Sequence, residues 1–329
     1  MTQTPPARGR SSKRAPAPDG LVIVDKPQGF TSHDVVGKMR GIAATRKVGH
    51  AGTLDPMATG VLVIGIGKAT KLLTYIVGAD KQYLATIRLG AATTTEDAQG
   101  DITQVSDPGE LTVAEVSAAA LHLTGDIMQI PSAVSAIKVD GKRAYDRVRA
   151  GEEVELAARP VTVSEFAITD VRPVAAEFGP AIDVDCVVTV SSGTYVRALA
   201  RDLAAHLGTH GHLTALRRTR VGGYLLETAR TLEQLQEELL ADDGQAQPAI
   251  SVLPLADAVR AIMAVRELST QEVTAVGYGQ RLTALARDAG AKNSGTVTYA
   301  GISPQGELVA VLADDGSKAR PVLVLAAAQ

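Results

Sequence analysis

Residues 47–60 read Lys47-Val48-Gly49-His50-Ala51-Gly52-Thr53-Leu54-Asp55-Pro56-Met57-Ala58-Thr59-Gly60 and run into the apolar stretch Val61-Leu62-Val63-Ile64. Glycines let a backbone take positive φ or approach a ligand closely. Pro56 fixes its own φ and biases Asp55 towards an extended conformation. A lone carboxylate is thus presented on a stiff, irregular loop that enters a strand, the kind of place where chemistry sits. Taken alone, the same residues also describe an ordinary turn, since Asp-Pro starts turns and glycine punctuates loops. The remainder of the chain has to decide between the two.

At 329 residues, 45% hydrophobic and 21% charged, the chain is long enough for one large domain and a small one. With no Trp and 3 Phe the core must be aliphatic. A net charge of -3 argues by itself against a nucleic-acid binder. The charge is uneven, however: cations gather at Arg40 to Lys47, Lys138 to Arg149 and Arg197 to Arg220, while Glu237, Glu238, Asp242 and Asp243 lie together. A local basic cleft on a mildly acidic protein suffices for phosphate contacts. Cys186 is the single cysteine, so no intramolecular disulfide is possible; a buried thiol in a reducing cytoplasm is expected. No apolar run is long enough to span a membrane, and the N-terminus lacks the apolar core of a signal peptide.

Residues 1–20 are basic and Pro-rich with almost no large apolar groups, and are expected to be disordered. Leu21-Val22-Ile23-Val24 reads as a strand, followed by a turn and a helix capped by Thr31 or Ser32 that carries Val35, Val36 and Met39. Gly65-Ile66-Gly67-Lys68-Ala69-Thr70 imitates a phosphate loop, but position 62, where the first glycine belongs, is Leu, and Ala69 replaces the hydroxyl after the lysine. Nucleotide binding is therefore not expected. Lys81 to Gly90 alternates as a strand bearing Tyr83, and residues 112–123 have helical apolar spacing. Val184 to Val190 forms an apolar strand, ends in Ser191-Ser192-Gly193-Thr194-Tyr195-Val196-Arg197 and precedes a helix with Leu199, Leu203 and Leu207 on one face. His206, His210 and His212 lack a nearby carboxylate or thiolate, and no metal site is expected. Leu216-Arg217-Arg218-Thr219-Arg220 is the strongest local phosphate-binding signal. Beyond about residue 260 short β-rich runs joined by Ser303-Pro304-Gln305-Gly306 and Asp314-Asp315-Gly316-Ser317 describe a small separate domain.

Gly49-His50-Ala51-Gly52-Thr53-Leu54-Asp55-Pro56 with Ala58-Thr59-Gly60 closely resembles the catalytic loop of the TruB family of tRNA pseudouridine synthases. Lys26-Pro27-Gln28-Gly29-Phe30-Thr31-Ser32, the Lys81-Gln82-Tyr83 strand, Gly193-Thr194-Tyr195-Val196-Arg197 and Leu216-Arg217-Arg218-Thr219 match the same family in the same order. The resemblance covers about residues 21–224; the C-terminal stretch is the least well matched.

The resemblance implies an α+β pseudouridine synthase fold, a mixed and largely antiparallel sheet flanked by helices. It also implies a catalytic domain over 21–257 and a C-terminal β-rich PUA-like RNA-binding domain over 258–329. Within the former, 126–160 is expected to be an RNA-facing mobile segment. The implied activity is isomerisation of the uridine at position 55 in the tRNA T loop after base flipping. Asp55 is then the nucleophile, Arg197 its bidentate partner and Tyr83 the ring that stacks on the base. His50, Tyr195, Leu216 and Lys26 would line or support the base site, and Arg143, Arg217 and Arg218 would meet the RNA backbone. Isomerisation needs no redox cofactor or energy source, so no cofactor or metal is expected. The implied partner is tRNA alone, bound by a cytoplasmic monomer with no obligate protein partner. The rival readings are a non-catalytic tRNA-binding or RNA-folding protein, which has no use for a nucleophile, and the same chemistry on another RNA.

Overall fold

The computed structural model describes residues 14–132, 138–139, 142–143, 156–240, 249–285 and 297–325. The chain opens with β1 (Gly20–Lys26), α1 (Ser32–Ile42), β2 (Val48–Ala51), β3 (Thr59–Ile66), α2 (Leu73–Val77) and β4 (Lys81–Leu89). A small hairpin, β5 (Ala91–Thr93) and β6 (Ile102–Val105), precedes α3 (Val113–Leu121), β7 (Gly125–Gln129) and the short pair β8 (Lys138–Val139) and β9 (Lys142–Arg143). The long strands β10 (Arg159–Ala176) and β11 (Gly179–Val190) lead to α4 (Val196–His206) and β12 (Gly211–Val221). β13 (Tyr224–Leu225), α5 (Leu232–Glu237) and α6 (Leu255–Arg260) then reach the C-terminal domain. That domain holds β14 (Val265–Glu267), α7 (Thr270–Gly277), β15 (Leu282–Thr283), β16 (Thr298–Ile302), β17 (Leu308–Asp315) and β18 (Lys318–Val324).

Among the described residues the main sheet runs β1-β3-β12-β4-β11-β10-β7, with β2 beside β3 and β13 beside β12. The β12–β3 pair is parallel and the others are antiparallel, the mixed, largely antiparallel sheet expected. Strict alternation along β4 puts Tyr83, Ala85, Ile87 and Leu89 on one face, where α3 and α4 cover them through Val116, Ala120, Leu199 and Leu203. β1 and β3 are apolar on both faces because both are covered. Val22, Val24, Leu62 and Ile64 meet α1 and α5, while Leu21, Ile23, Val61 and Val63 meet α2 and the chain around α6.

Local rules account for the helix starts. Thr31 and Asp34 form a capping box at α1, Thr112 and Glu115 at α3, and Ser269 and Glu272 at α7. The C-terminal sheet, β14-β16-β17-β18-β15, buries Tyr299, Val309 and Leu312 and packs through Ile302, Leu308 and Val311 on Leu72 and Val259 of the larger domain.

Two expectations need adjustment. Residues 14–19, read as part of a disordered tail, lie against the end of α1: Arg14 donates to Gly41 O and Ile42 O, and Ala17 N donates to Ala43 O. The boundary placed at 257/258 falls inside α6, which packs on both domains. Among the described residues β10 is the longest strand, and its far half is an exposed ribbon paired only with β11. Most of the segment expected to be mobile, 126–160, lies outside the described residues.

Candidate active site

The Asp55 loop is anchored at almost every residue. Ser32, buried at the start of α1, accepts from Leu54 N at 2.9 Å and donates to Leu54 O at 3.2 Å. On the other side of Asp55, Pro56 O accepts from Gly29 N at 2.8 Å and from Lys26 Nζ at 3.3 Å. Ala58 N donates to Asp55 O, which closes the turn. Gly60 permits the exit: its φ is +99°, and a Cβ there would sit 2.2 Å from Arg218 O. Leu54, Met57 and Ala58 pack with Tyr83 and Leu216 in one apolar cluster. Apolar residues thus bury the loop's flanks while the Asp55 side chain stays 35% exposed.

Arg197, in the first turn of α4 and 5% exposed, reaches that carboxylate from across the cleft. Its Nε lies 2.9 Å from Asp55 Oδ2 and its Nη2 3.5 Å from Oδ1, while Nη1 donates to Thr95 O and Ser132 Oγ, both at 2.8 Å. Asp97, buried, stands 3.8 Å from Arg197 Nε and is itself fixed by Thr95 Oγ1 and Gln99 N. A planar guanidinium bonded on several sides cannot swing freely, so the partner carboxylate is oriented rather than merely charge-balanced. Gln129, buried at the end of β7, brackets the neighbouring turn: its Oε1 accepts from Tyr195 N and its Nε2 donates to Tyr195 O.

The other expected site residues divide. Tyr83 and Leu216 project from the same face of adjacent strands, since Leu216 lies opposite Ala85, two residues from Tyr83. Lys26 is fully buried beneath the loop and donates to Pro27 O, Phe30 O and Pro56 O at 2.9, 2.6 and 3.3 Å. Burial pulls its pKa down to about 8 against the opposing attraction of Asp55. His50 lies on β2 opposite Ile64; its Nδ1 is buried without a hydrogen-bond partner, and burial lowers its pKa.

Arg218 requires a correction. It is 1% exposed and donates to Val61 O at 2.7 Å and to Thr53 O and Gly52 O at 3.3 Å. Strand alternation turns it inward, so it clamps the Asp55 loop from below and is not placed to meet an RNA phosphate. Arg217 faces the other way, partly exposed, and spends its fork on Asp25 at 3.1 and 2.7 Å and on Thr59 Oγ1 at 3.1 Å. Arg220 pairs with Asp80. The arginine run is therefore largely committed within the protein. Arg143 lies on β9, with its side chain outside the described residues.

The imitation phosphate loop is filled from within: Asp19 Oδ1 accepts from Lys68 N at 2.9 Å, and a Cβ on Gly67 would meet that oxygen at 1.8 Å. The Asp19 carboxylate takes from the loop amide the bond that a phosphate loop offers to its phosphate. His206 bonds Asp202 O and stacks on His122, while buried His212 bonds Ala91 O. Cys186 is buried and its thiol pKa is pushed up to about 12, so it is inert. Sequence reading missed Ser32, Asp97, Gln129 and Ser132 as site residues. Their only sequence signal was their place inside family-like stretches.

The model described as TruB family pseudouridylate synthase (N terminal domain) matches residues 40–196. The tRNA pseudouridylate synthase B C-terminal domain matches 197–262, and tRNA Pseudouridine synthase II, C terminal, matches 263–326. A protein of Arthrobacter sp. (strain FB24) named tRNA pseudouridine synthase B is 58% identical over 309 residues, 93% of this chain and 96% of its own length. One of the same name from Streptomyces coelicolor is 53% identical over 308 residues, 93% of this chain and 97% of its own. Among solved structures, a chain in a Cbf5-Nop10-Gar1 complex superposes with a TM-score of 0.70 at 26% identity, covering 94% of this chain and 85% of that one. This chain belongs to the TruB family of pseudouridylate synthases.

Proposed function

We propose that this enzyme isomerises the uridine at position 55 in the T loop of tRNA to pseudouridine, with Asp55 as the nucleophile. The observation that carries the reading is the Arg197 fork on Asp55, held on a loop whose backbone is clamped from three sides. In the reaction the N1–C1′ bond breaks, the uracil turns, C5 joins C1′, and the proton lost from C5 is balanced by one gained at N1. The carboxylate adds to the substrate transiently, at C6 of uracil or at C1′ of ribose, and leaves again. Because a stacked base presents neither atom, the target must flip into the cleft.

Within this reading Tyr83 stacks on the flipped ring and assists proton removal at C5, while Tyr195 and Leu216 line the base pocket. His50 takes the space that the base vacates or stacks in the T loop, and Lys26 holds the floor of the Asp55 loop. Arg143 and the exposed part of Arg217 meet the RNA backbone, helped by the C-terminal β-domain. Support for tRNA as direct substrate comes from relatives named tRNA pseudouridine synthase B along nearly the whole chain. The enzyme then acts in the cytoplasm as a monomer with no obligate protein partner.

The test is pseudouridine content at the T-loop position of an unmodified tRNA transcript, with purified wild type beside Asp55→Asn. Conversion by wild type, with binding but no conversion by the variant, is the expected result. Binding without conversion by wild type would return the protein to the RNA-binding class, and conversion by both would remove Asp55 from the chemistry.

A further inference from the structure

Arg197 and Arg201 stand one turn apart on α4, and each bridges the same two segments. Arg197 joins Thr95 O to Ser132 Oγ through Nη1. Arg201 Nη1 donates to Glu96 Oε1 at 2.7 Å, and its Nη2 donates to Ile130 O at 2.8 Å. Its Nε is steadied by Asp202 Oδ1 at 2.8 Å. The helix therefore carries two parallel rungs between residues 95–96 and 130–132. The first rung ends at Asp55; the second lies one turn behind it.

Glu96 shows that the second rung bears strain. Its φ is +60°, a left-handed conformation that glutamate rarely adopts. Glu96 N donates to Thr93 O, and Glu96 O accepts from Leu213 N. Glu96 Oε2 is buried with no hydrogen-bond partner, so the carboxylate depends on Arg201 for its compensation. Such a turn persists only where its surroundings over-determine it. The residue next to it, Thr95, supplies one acceptor that aims Arg197.

We propose that Arg201, paired with Glu96, is a positioning residue for the isomerisation: it fixes the two segments whose Thr95 O and Ser132 Oγ hold the Arg197 guanidinium against Asp55. The proposal rests on reading Asp55 as the reacting carboxylate. Without the second rung, residues 95–96 relax and Nη1 loses its acceptor geometry. The fork then turns off Asp55, while the RNA-facing surface is left as it was.

The experiment measures the single-turnover rate constant and the tRNA dissociation constant separately, on full-length protein, for Arg201→Met, Arg201→Lys, Glu96→Gln and the double variant Glu96→Gln/Arg201→Met. Circular dichroism checks folding, and the double variant removes the buried charge that Arg201→Met leaves unpaired. Expected is a rate lower by about 10- to 100-fold in Arg201→Met with the dissociation constant within about twofold of wild type. Partial recovery is expected in Arg201→Lys, and a double variant no slower than Arg201→Met alone, because the pair acts as one unit. A rate within about threefold of wild type, single effects that multiply, or an affinity loss equal to the rate loss would each overturn the proposal. Failure of the underlying reading looks different, since wild type then forms no pseudouridine or Asp55→Asn forms it at the wild-type rate.

Discussion

Asp55 and Arg197 are 142 positions apart in sequence and meet in a two-point fork, Nε to Oδ2 at 2.9 Å and Nη2 to Oδ1 at 3.5 Å. The arginine is nearly buried and the carboxylate partly open, so the pair is fixed from the protein side and accessible from the cleft. That asymmetry suits a group that must hold one orientation until a substrate atom arrives.

Arg197→Lys keeps the charge but not the planar fork, and an ammonium cannot reach Asp55, Thr95 O and Ser132 Oγ with the same geometry. Its single-turnover rate is expected to fall by about 100-fold while tRNA affinity changes little. Rate and binding measured on the same preparation check this.

Arg218 separates a structural clamp from a phosphate contact. Arg218→Met strips three backbone carbonyls of their donor, and each unsatisfied buried group costs about 1–3 kcal/mol. A large drop in melting temperature and loss of activity are expected. The slope of log affinity against log salt should stay at its wild-type value, whereas losing a phosphate contact would reduce it by about one.

Lys26 predicts opposite pH trends for rate and stability. With a folded-state pKa of about 8, the ammonium loses a proton and its charge above that pH, and a neutral amine cannot donate to all three carbonyls. The rate should therefore decline above about pH 8, and Lys26→Met should be slow with no such decline. Stability moves the other way. Between about 8 and 10.5 the unfolded chain holds the proton that the folded chain has released, so this lysine's contribution to stability rises with pH. Lys81, also lowered to about 8 by burial, adds to stability with the same sign. Thermal melts alongside a pH–rate profile separate the two effects.

Gly60→Ala tests the loop exit. At φ +99° with Arg218 O only 2.2 Å from the added Cβ, the backbone of β3 or β12 must move. A destabilisation of about 2 kcal/mol or more is expected from denaturant melts, whereas Gly37→Ala, at an open position inside α1, should stabilise by about 0.5–1 kcal/mol.

Local grammar was readable in the sequence because its causes are local. The capping box at Thr31, the alternation of β4 and the irregular Asp55 loop each follow from neighbouring residues alone. The motif order also carried the family and, with it, the fold class. Where the cover on a strand's face comes from a distant segment, sequence stopped being a guide. β12 alternates regularly from Leu216 to Arg218, between bulges at Leu213/Ala215 and Arg218/Arg220, but alternation alone does not say which face the Asp55 loop covers. Packing instead sent Arg218 under the loop and left Arg217 and Arg220 to Asp25 and Asp80.

By itself, then, the sequence determined which carboxylate is presented, on what kind of loop, and between which elements, since backbone preference and hydrophobic period act over a few residues. Arg197 was expected beside that carboxylate from the family resemblance, but only the tertiary structure decided what aims the arginine and clamps the loop. Arg197, Lys26 and Arg218 converge on the loop, and Thr95 and Ser132 aim Arg197, so five separate stretches of chain meet there. Side-chain contacts across such separations are set by how the sheet twists and packs, and no local pattern records them.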